Sequence, residues 1–268
     1  MNRRQFALGL SSLPIIGEAM TARGATPSIL ASIIAGPQRT AANSVRDPYR
    51  HPAKSLLFWG LKPGMTVVEI APSGGYWTEI LAPYLKATGG TYVAAMGGDP
   101  APFKARYADP AIWGDIRTAT FDAKGGALVP PGTADLLITS RNIHDWMWTP
   151  GRLETALADF HAALKVGGLL GVEDHRADPR PMIPEARDGY VSTAWMTEAV
   201  TKAGFRLEAA SEINANPKDT KDHPFGVWTL PPTRRTHEKD KPTPTGFDPA
   251  KYEAIGESDR MTLRFARV

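Results

Sequence analysis

Three side chains able to move a proton stand in two short stretches. His144 lies in Arg141-Asn142-Ile143-His144-Asp145-Trp146, and Asp174 and His175 lie in Asp174-His175-Arg176. Histidine has an ordinary pKa of about 6.5, which gives His144 the basicity of a general base. The other reading of His144 is a structural histidine bonded to a backbone carbonyl. His175 reads as a second base or a ligand to substrate, with a polar loop network as the alternative. Arg141 and Asn142 could orient a substrate, and Arg141 could equally pair with Asp135. His144, Asp174 and His175 are all metal-ligand types, but nothing in their spacing supports a metal site, and none is expected.

A third stretch, Val67 to Thr78, reads as a strand carrying the acid Glu69, then a turn of small residues, then a helix. The turn contains Ala71, Ser73, Gly74 and Gly75. Small residues let the backbone approach a ligand closely. A helix start adds unpaired N–H groups for a polar or negative group. Tyr76 and Trp77, beside the turn, are the aromatics best placed to meet a ligand, and most of the other tryptophans read as core.

These residues need a scaffold, and the pattern from Arg46 onward supplies one. Strands are expected over 65–70, 91–96, 116–121, 134–139, 169–172, 206–213 and 261–266. Helices are expected over 77–85, 152–164 and 193–203, the second ended by Gly167-Gly168. The alternation implies an α/β sheet with helices on both faces. Such sheets bind ligands at the carboxyl ends of their strands, where the proton-moving residues and the small-residue turn fall. The segment 214–257 is rich in Pro, Asp and Lys, breaks the pattern and is too long for an ordinary loop. Asp222-His223 within it could close over a pocket or stand in a solvated loop.

The N-terminus opens Met1-Asn2-Arg3-Arg4-Gln5-Phe6-Ala7-Leu8, similar to a twin-arginine export signal. The apolar stretch that follows is too short to span a bilayer. Residues 1–25 are therefore set aside as a signal peptide, 26–45 as a linker, and 46–268 as the folded domain. The chain has 268 residues, 42% hydrophobic and 22% charged, enough for a sizeable core. It has no cysteine, which excludes disulfides, thiolate metal sites and a cysteine nucleophile and suits export. A net charge of +3 without a basic patch argues against a nucleic-acid substrate.

From about Arg46 the chain resembles class I S-adenosylmethionine-dependent methyltransferases, and is most similar to a group of exported bacterial proteins labelled predicted methyltransferases. The resembling pieces, in order, are Arg46-Asp47 with Arg50-His51-Pro52; Lys62-Pro63-Gly64-Met65 into Val68-Glu69-Ile70; Gly74 to Leu81; Arg141 to Trp146; Leu164 to Gly168; Asp174-His175-Arg176; Ala203-Gly204-Phe205; and Ser258-Asp259-Arg260. The resemblance implies a Rossmann-like seven-stranded sheet, mostly parallel with an antiparallel final strand, and S-adenosylmethionine bound over the first two strands. It assigns Glu69 to the acid that ends strand one and Gly75 to the last glycine of the turn. Ala71 and Ser73 stand where the common pattern has glycines. Gly74, Tyr76 and Asn142 join the cofactor set. Asp99 is the carboxylate nearest the ribose position after strand two, and Asp122 fits the adenine position after strand three.

His144-Asp145-Trp146 is similar to a triplet of small-molecule O-methyltransferases in which the histidine is the base, with His175 and Asp174 as further catalytic candidates. The Asn/Asp-Pro-Pro-aromatic motif of amine-methylating relatives is absent, which tilts toward oxygen or another nucleophile. The implied protein is a periplasmic methyltransferase acting on a small molecule or envelope component. Its export partner would be the twin-arginine translocase, and no membrane span would remain after cleavage. The alternative is a catalytically silent ligand-binding protein on the same fold, since S-adenosylmethionine is made in the cytoplasm.

Overall fold

The computed structural model describes residues 28–179 and 181–268, so the twin-arginine stretch lies outside the described residues. Seven strands form one sheet: β1 (Thr66–Ile70), β2 (Thr91–Met96), β3 (Ile116–Thr120), β4 (Ala134–Ser140), β5 (Leu164–His175), β6 (Phe205–Ser211) and β7 (Arg260–Arg267). Their order is β3-β2-β1-β4-β5-β7-β6. Every pairing among β1 to β5 is parallel, and β7 runs antiparallel to both β5 and β6. The expected fold, including the reversed last strand, is the one observed.

The sequence builds two cores because successive strand residues face opposite sides of the sheet. Val68, Ile70 and Leu137 face one side, where helix Arg152–Ala163 lays down Leu153, Ala156, Leu157 and Phe160 at helical spacing. Val67, Leu136 and Ile138 face the other, under helix Thr78–Thr88. That helix runs past the expected end at Leu85 and stops where left-handed Gly89 donates back to the Leu85 carbonyl.

Two expectations are corrected. Helix Arg152–Ala163 does not wait for Gly167-Gly168: Leu164 is already extended and opens β5, and the glycines lie inside that strand. A Cβ at Gly168 would stand 2.8 Å from the Lys165 carbonyl oxygen and 3.2 Å from that of Ala134, where the β4–β5 register shifts. The glycine thus serves a strand irregularity, not a helix stop.

The linker expected over 26–45 packs on the domain instead, as far as it is described. A helix over 28–34 buries Leu30 completely in the second core. The Thr40 backbone N–H and hydroxyl both donate to the buried Glu79 carboxylate. Asn43 Nδ2 donates to the Gly74 carbonyl, which ties this segment to the turn after β1. Among the described residues, no helix is long and apolar enough to cross a membrane.

Candidate active site

The carboxyl ends of β1 and β4 frame a first cleft. Glu69, Ala71, Ser73, Gly74, Tyr76 and Asn142 line it, six of the nine residues expected around the cofactor, together with Arg46, Arg50 and Arg141. Glu69 forms its floor. It accepts from Thr78 Oγ1 at 2.9 Å and from Tyr92 Oη at 2.5 Å. Burial pushes its carboxyl up to about 7 against the pull of those two hydrogen bonds.

The turn keeps a glycine-type backbone without the glycines. Ala71 and Ser73 both have φ +48°, and Arg141, across the cleft, has φ +59°. A left-handed L-residue costs roughly 1–2 kcal/mol. Three such residues on one cleft mark a backbone held for a purpose other than stability. A Cβ at Gly74 would enter open space, so ligand has room beside the backbone there.

Gly75 serves a different end from the expected one. It does not line the cleft, and a Cβ there would stand 1.7 Å from the hydroxyl of buried Tyr107. Asp99 and Asp122 also fall outside the lining. Exposed Asp99 accepts from the Ala101 backbone and starts a short helix. Asp122 accepts from the Lys124 backbone, and its carbonyl takes the guanidinium of Arg152. Asn142 holds the two central strands together by donating to the Ile70 carbonyl and the Thr139 hydroxyl.

A second cleft lies beyond β4 and β5. Arg141, His144, Asp145, His175, Glu257 and Ser258 line it, and the long insertion covers it with Val227, Trp228 and Pro231 to Thr233. Arg141 belongs to both clefts and is where they meet. It is not paired with Asp135, which instead holds Lys165 and the Thr66 backbone N–H.

The three expected catalytic residues converge here. Fully buried Asp174 accepts from the backbone N–H groups of Ile143, His144 and His175 and from His144 Nδ1 at 2.7 Å. Both Asp174 oxygens already accept backbone N–H groups, so His144 Nδ1 is the donor in their contact and Nε2 is the basic nitrogen, 3.4 Å from Asp145. Burial opposes charge on His144, but the charge and hydrogen bond of Asp174 outweigh it and raise its pKa. His175 goes the other way: burial, then the positive charges of His144 and Arg141, hold it well below the usual histidine range. Its Nδ1 lies 2.5 Å from Ser258 Oγ.

Ligand atoms of His144, Asp174 and His175 lie within 4.8 Å of one another. The oxygens of Asp174 are already committed to four N–H donors, so the cluster has the chemistry of an oriented base more than of a metal cage. His223 is buried on Asp219, which also takes the Tyr190 hydroxyl and the Asp259 backbone N–H. It braces the insertion and does not line the cleft.

The residues that sequence reasoning did not assign to the site are Arg46, Arg50, Glu257 and Ser258. Arg46 and Arg50, one helical turn apart, both reach Glu257, 211 and 207 residues away in sequence. The i,i+4 arginine spacing and the Glu257/Arg260 spacing of three were visible, but not that the two would meet.

A sheet of this order with its one reversed strand is that of the methyltransferase fold. The chain is similar to the crystal structure of a SAM-dependent methyltransferase from Aquifex aeolicus, with 18% identity, 70% of this chain and 93% of that chain covered, and a TM-score of 0.52. It is also similar to the [4+2]-cyclase SpnF, with 13% identity, 96% and 99% covered, and a TM-score of 0.59. No protein-family model and no curated protein matches the chain by sequence. At such identities the likeness is one of fold.

Proposed function

We propose that this protein transfers a methyl group from S-adenosylmethionine to a small molecule or envelope component, in the periplasm, after twin-arginine export. The observation that carries the reading is the meeting of two clefts at Arg141, one with a strained small-residue turn, the other with an oriented histidine base. The first cleft fits the donor. Gly74 leaves space beside the backbone, and the Nη2 atoms of Arg46 and Arg50 are buried without a hydrogen-bond partner. The turn 71–74, Glu69, Tyr76 and Asn142 would hold it, and when bound it supplies an electrophilic methyl on a sulfonium.

The chain's own residues do the rest. Asp174 fixes the imidazole of His144 so that Nε2 can accept the proton of an acceptor hydroxyl. Val227, Trp228 and Pro231 to Thr233 of the insertion cover the cleft in which that transfer would occur. The intact His144–Asp174 pair weighs against the silent-binding alternative. Calorimetric titration of the purified protein with S-adenosylmethionine and S-adenosylhomocysteine tests the reading, and absence of heat with both would overturn it. For export, changing Arg3 and Arg4 to Lys should trap the precursor in the cytoplasm, and normal export of that variant would overturn the route.

A further inference from the structure

Five guanidiniums crowd the first cleft and the wall behind it: Arg39, Arg46, Arg50, Arg141 and Arg260. Three of them surround one ring, with Arg39, Arg46 and Arg50 at 5.1, 5.9 and 4.4 Å from the centroid of Tyr76. Among the described residues, three carboxylates answer them. Asp47 takes Arg39, Glu257 takes Arg46, Arg50 and Arg260, and Glu173 takes Arg260. The shortfall shows as buried nitrogens without hydrogen-bond partners: Nε and Nη2 of Arg39, Nη2 of Arg46 and Arg50, and Nε of Arg141 and Arg260. Arg50 is only 1% exposed, and buried polar groups are seldom left without a partner.

Arg141 differs from the other four. Among the described residues, no carboxylate lies within ion-pair distance of it, and it is the guanidinium shared by both clefts. Its left-handed backbone is pinned by its N–H to the Glu173 carbonyl at 2.8 Å. The methyl donor's one carboxylate suits the partnerless Nη2 atoms of Arg46 and Arg50 in the first cleft, but it cannot neutralise the cluster. The donor sets that carboxylate against an ammonium and a sulfonium, so it adds net positive charge to a site that already has an excess. Of the carboxylates on the second cleft, Glu257 is held by three arginines, and Asp145 is half exposed beside His144. The rest of that cleft is roofed by Trp228, Pro231 and Pro232.

We infer that the methyl acceptor is a small molecule bearing a carboxylate, which docks on Arg141 while its nucleophile faces His144. This rests on the methyl-transfer reading and narrows its substrate class. The Arg141 guanidinium presents a planar fork to a carboxylate. In the transfer the acceptor oxygen bonds the methyl carbon, the carbon–sulfur bond breaks with its electron pair going to sulfur, and the hydroxyl proton goes to His144 Nε2.

The test is calorimetric titration of the wild-type protein with benzoate, benzamide and benzylamine, with and without saturating S-adenosylhomocysteine. Benzoate should bind at least about tenfold more tightly than benzamide, and its advantage should shrink with salt. Benzylamine should not bind. Arg141→Gln should abolish the preference for benzoate. Equal binding of benzoate and benzamide to the wild type overturns the inference without any variant having to fold. Competition between benzoate and S-adenosylhomocysteine for one site also overturns it, because the anion site would then be the donor's. Selective benzoate binding with no S-adenosylhomocysteine binding would keep the anion site and overturn the donor. The reverse result would keep the donor and overturn the anion inference alone.

Discussion

Ser73 and Gly75 sit two residues apart in the same turn, and exchanging their types should move stability in opposite directions. Ser73 is exposed and left-handed, and its hydroxyl makes one local bond, 3.2 Å, to the Ala71 carbonyl. Ser73→Gly removes a steric cost of roughly 1–2 kcal/mol. It gives back about 0.5–1 kcal/mol through the freer unfolded chain. Water replaces the exposed hydroxyl bond at little cost, so the expected gain is about 0.5–1 kcal/mol, roughly 1–4 °C in Tm.

Gly75→Ala runs the other way. It adds the same left-handed cost at φ +78° and drives a methyl into Tyr107, which is packed between Phe103 and Trp113. Overpacking adds about 1–3 kcal/mol, and the stiffer unfolded chain returns about 0.5–1 kcal/mol, for a total loss of roughly 1.5–4 kcal/mol. At about 2–4 °C per kcal/mol, Tm should fall by roughly 3–16 °C. Thermal unfolding followed by circular dichroism, checked by urea titration, reads both. A Gly75→Ala protein melting within a degree of wild type would refute the placement of Tyr107. A Ser73→Gly protein that melts lower would show that the left-handed serine is not strained.

His144→Ala should lower kcat by about 10²–10⁴ with S-adenosylhomocysteine affinity unchanged. The parent rate should rise with pH through a midpoint above the ordinary histidine value, since Asp174 favours the imidazolium and only the neutral ring accepts a proton. Full kcat with the same pH profile would make His144 structural. Glu69 keeps its proton in the folded state to about pH 7 but releases it near 4.5 when unfolded. Between those values the native state binds more protons, so this group's contribution to stability falls as pH rises through the window. Glu69→Gln should flatten that slope and gain up to about 3 kcal/mol at pH 8, and urea unfolding at pH 5 and pH 8 with an unchanged slope would refute the burial argument. Glu257→Gln strands three arginines and should cost about 3–5 kcal/mol at pH 7. Those arginines hold the Glu257 carboxyl far below the usual range, so its contribution is lost only as pH falls below the normal carboxylate region. A urea-measured loss under about 1 kcal/mol would refute the arginine network.

Strands such as Thr66–Ile70 and Ala134–Ser140 were legible because their apolar runs reflect burial on both faces. The convergence of His144 with Asp174 and His175 was legible as far as parallel β4 and β5 put their carboxyl ends at one edge. What escaped the sequence depended on distant partners. Leu30 looks like part of a short apolar run until the second core is there to receive it. Gly75 reads as a ligand contact until Tyr107 is known to stand behind it. Asp99 and Asp122 have the residue type for a cofactor contact, but local backbone N–H groups claim their oxygens. The arginine network was hidden because its halves lie more than 200 residues apart, and periodicity carries no signal at that range.

β7 follows β5 and β6 in sequence but is laid between them, paired from Leu169↔Ala266 to His175↔Arg260 on one side and from Phe205↔Arg267 to Ser211↔Thr262 on the other. Until it inserts, both neighbours present open edges, which are prone to pair with other chains. Its insertion must await closure of the 214–257 segment, so these non-local ladders form slowly. Glu257 and Ser258 arrive immediately ahead of it and complete the second cleft. Completion of the second cleft and covering of the β5 edge therefore depend on the same insertion. A chain stalled before it would lack both the finished cleft and its protection against aggregation.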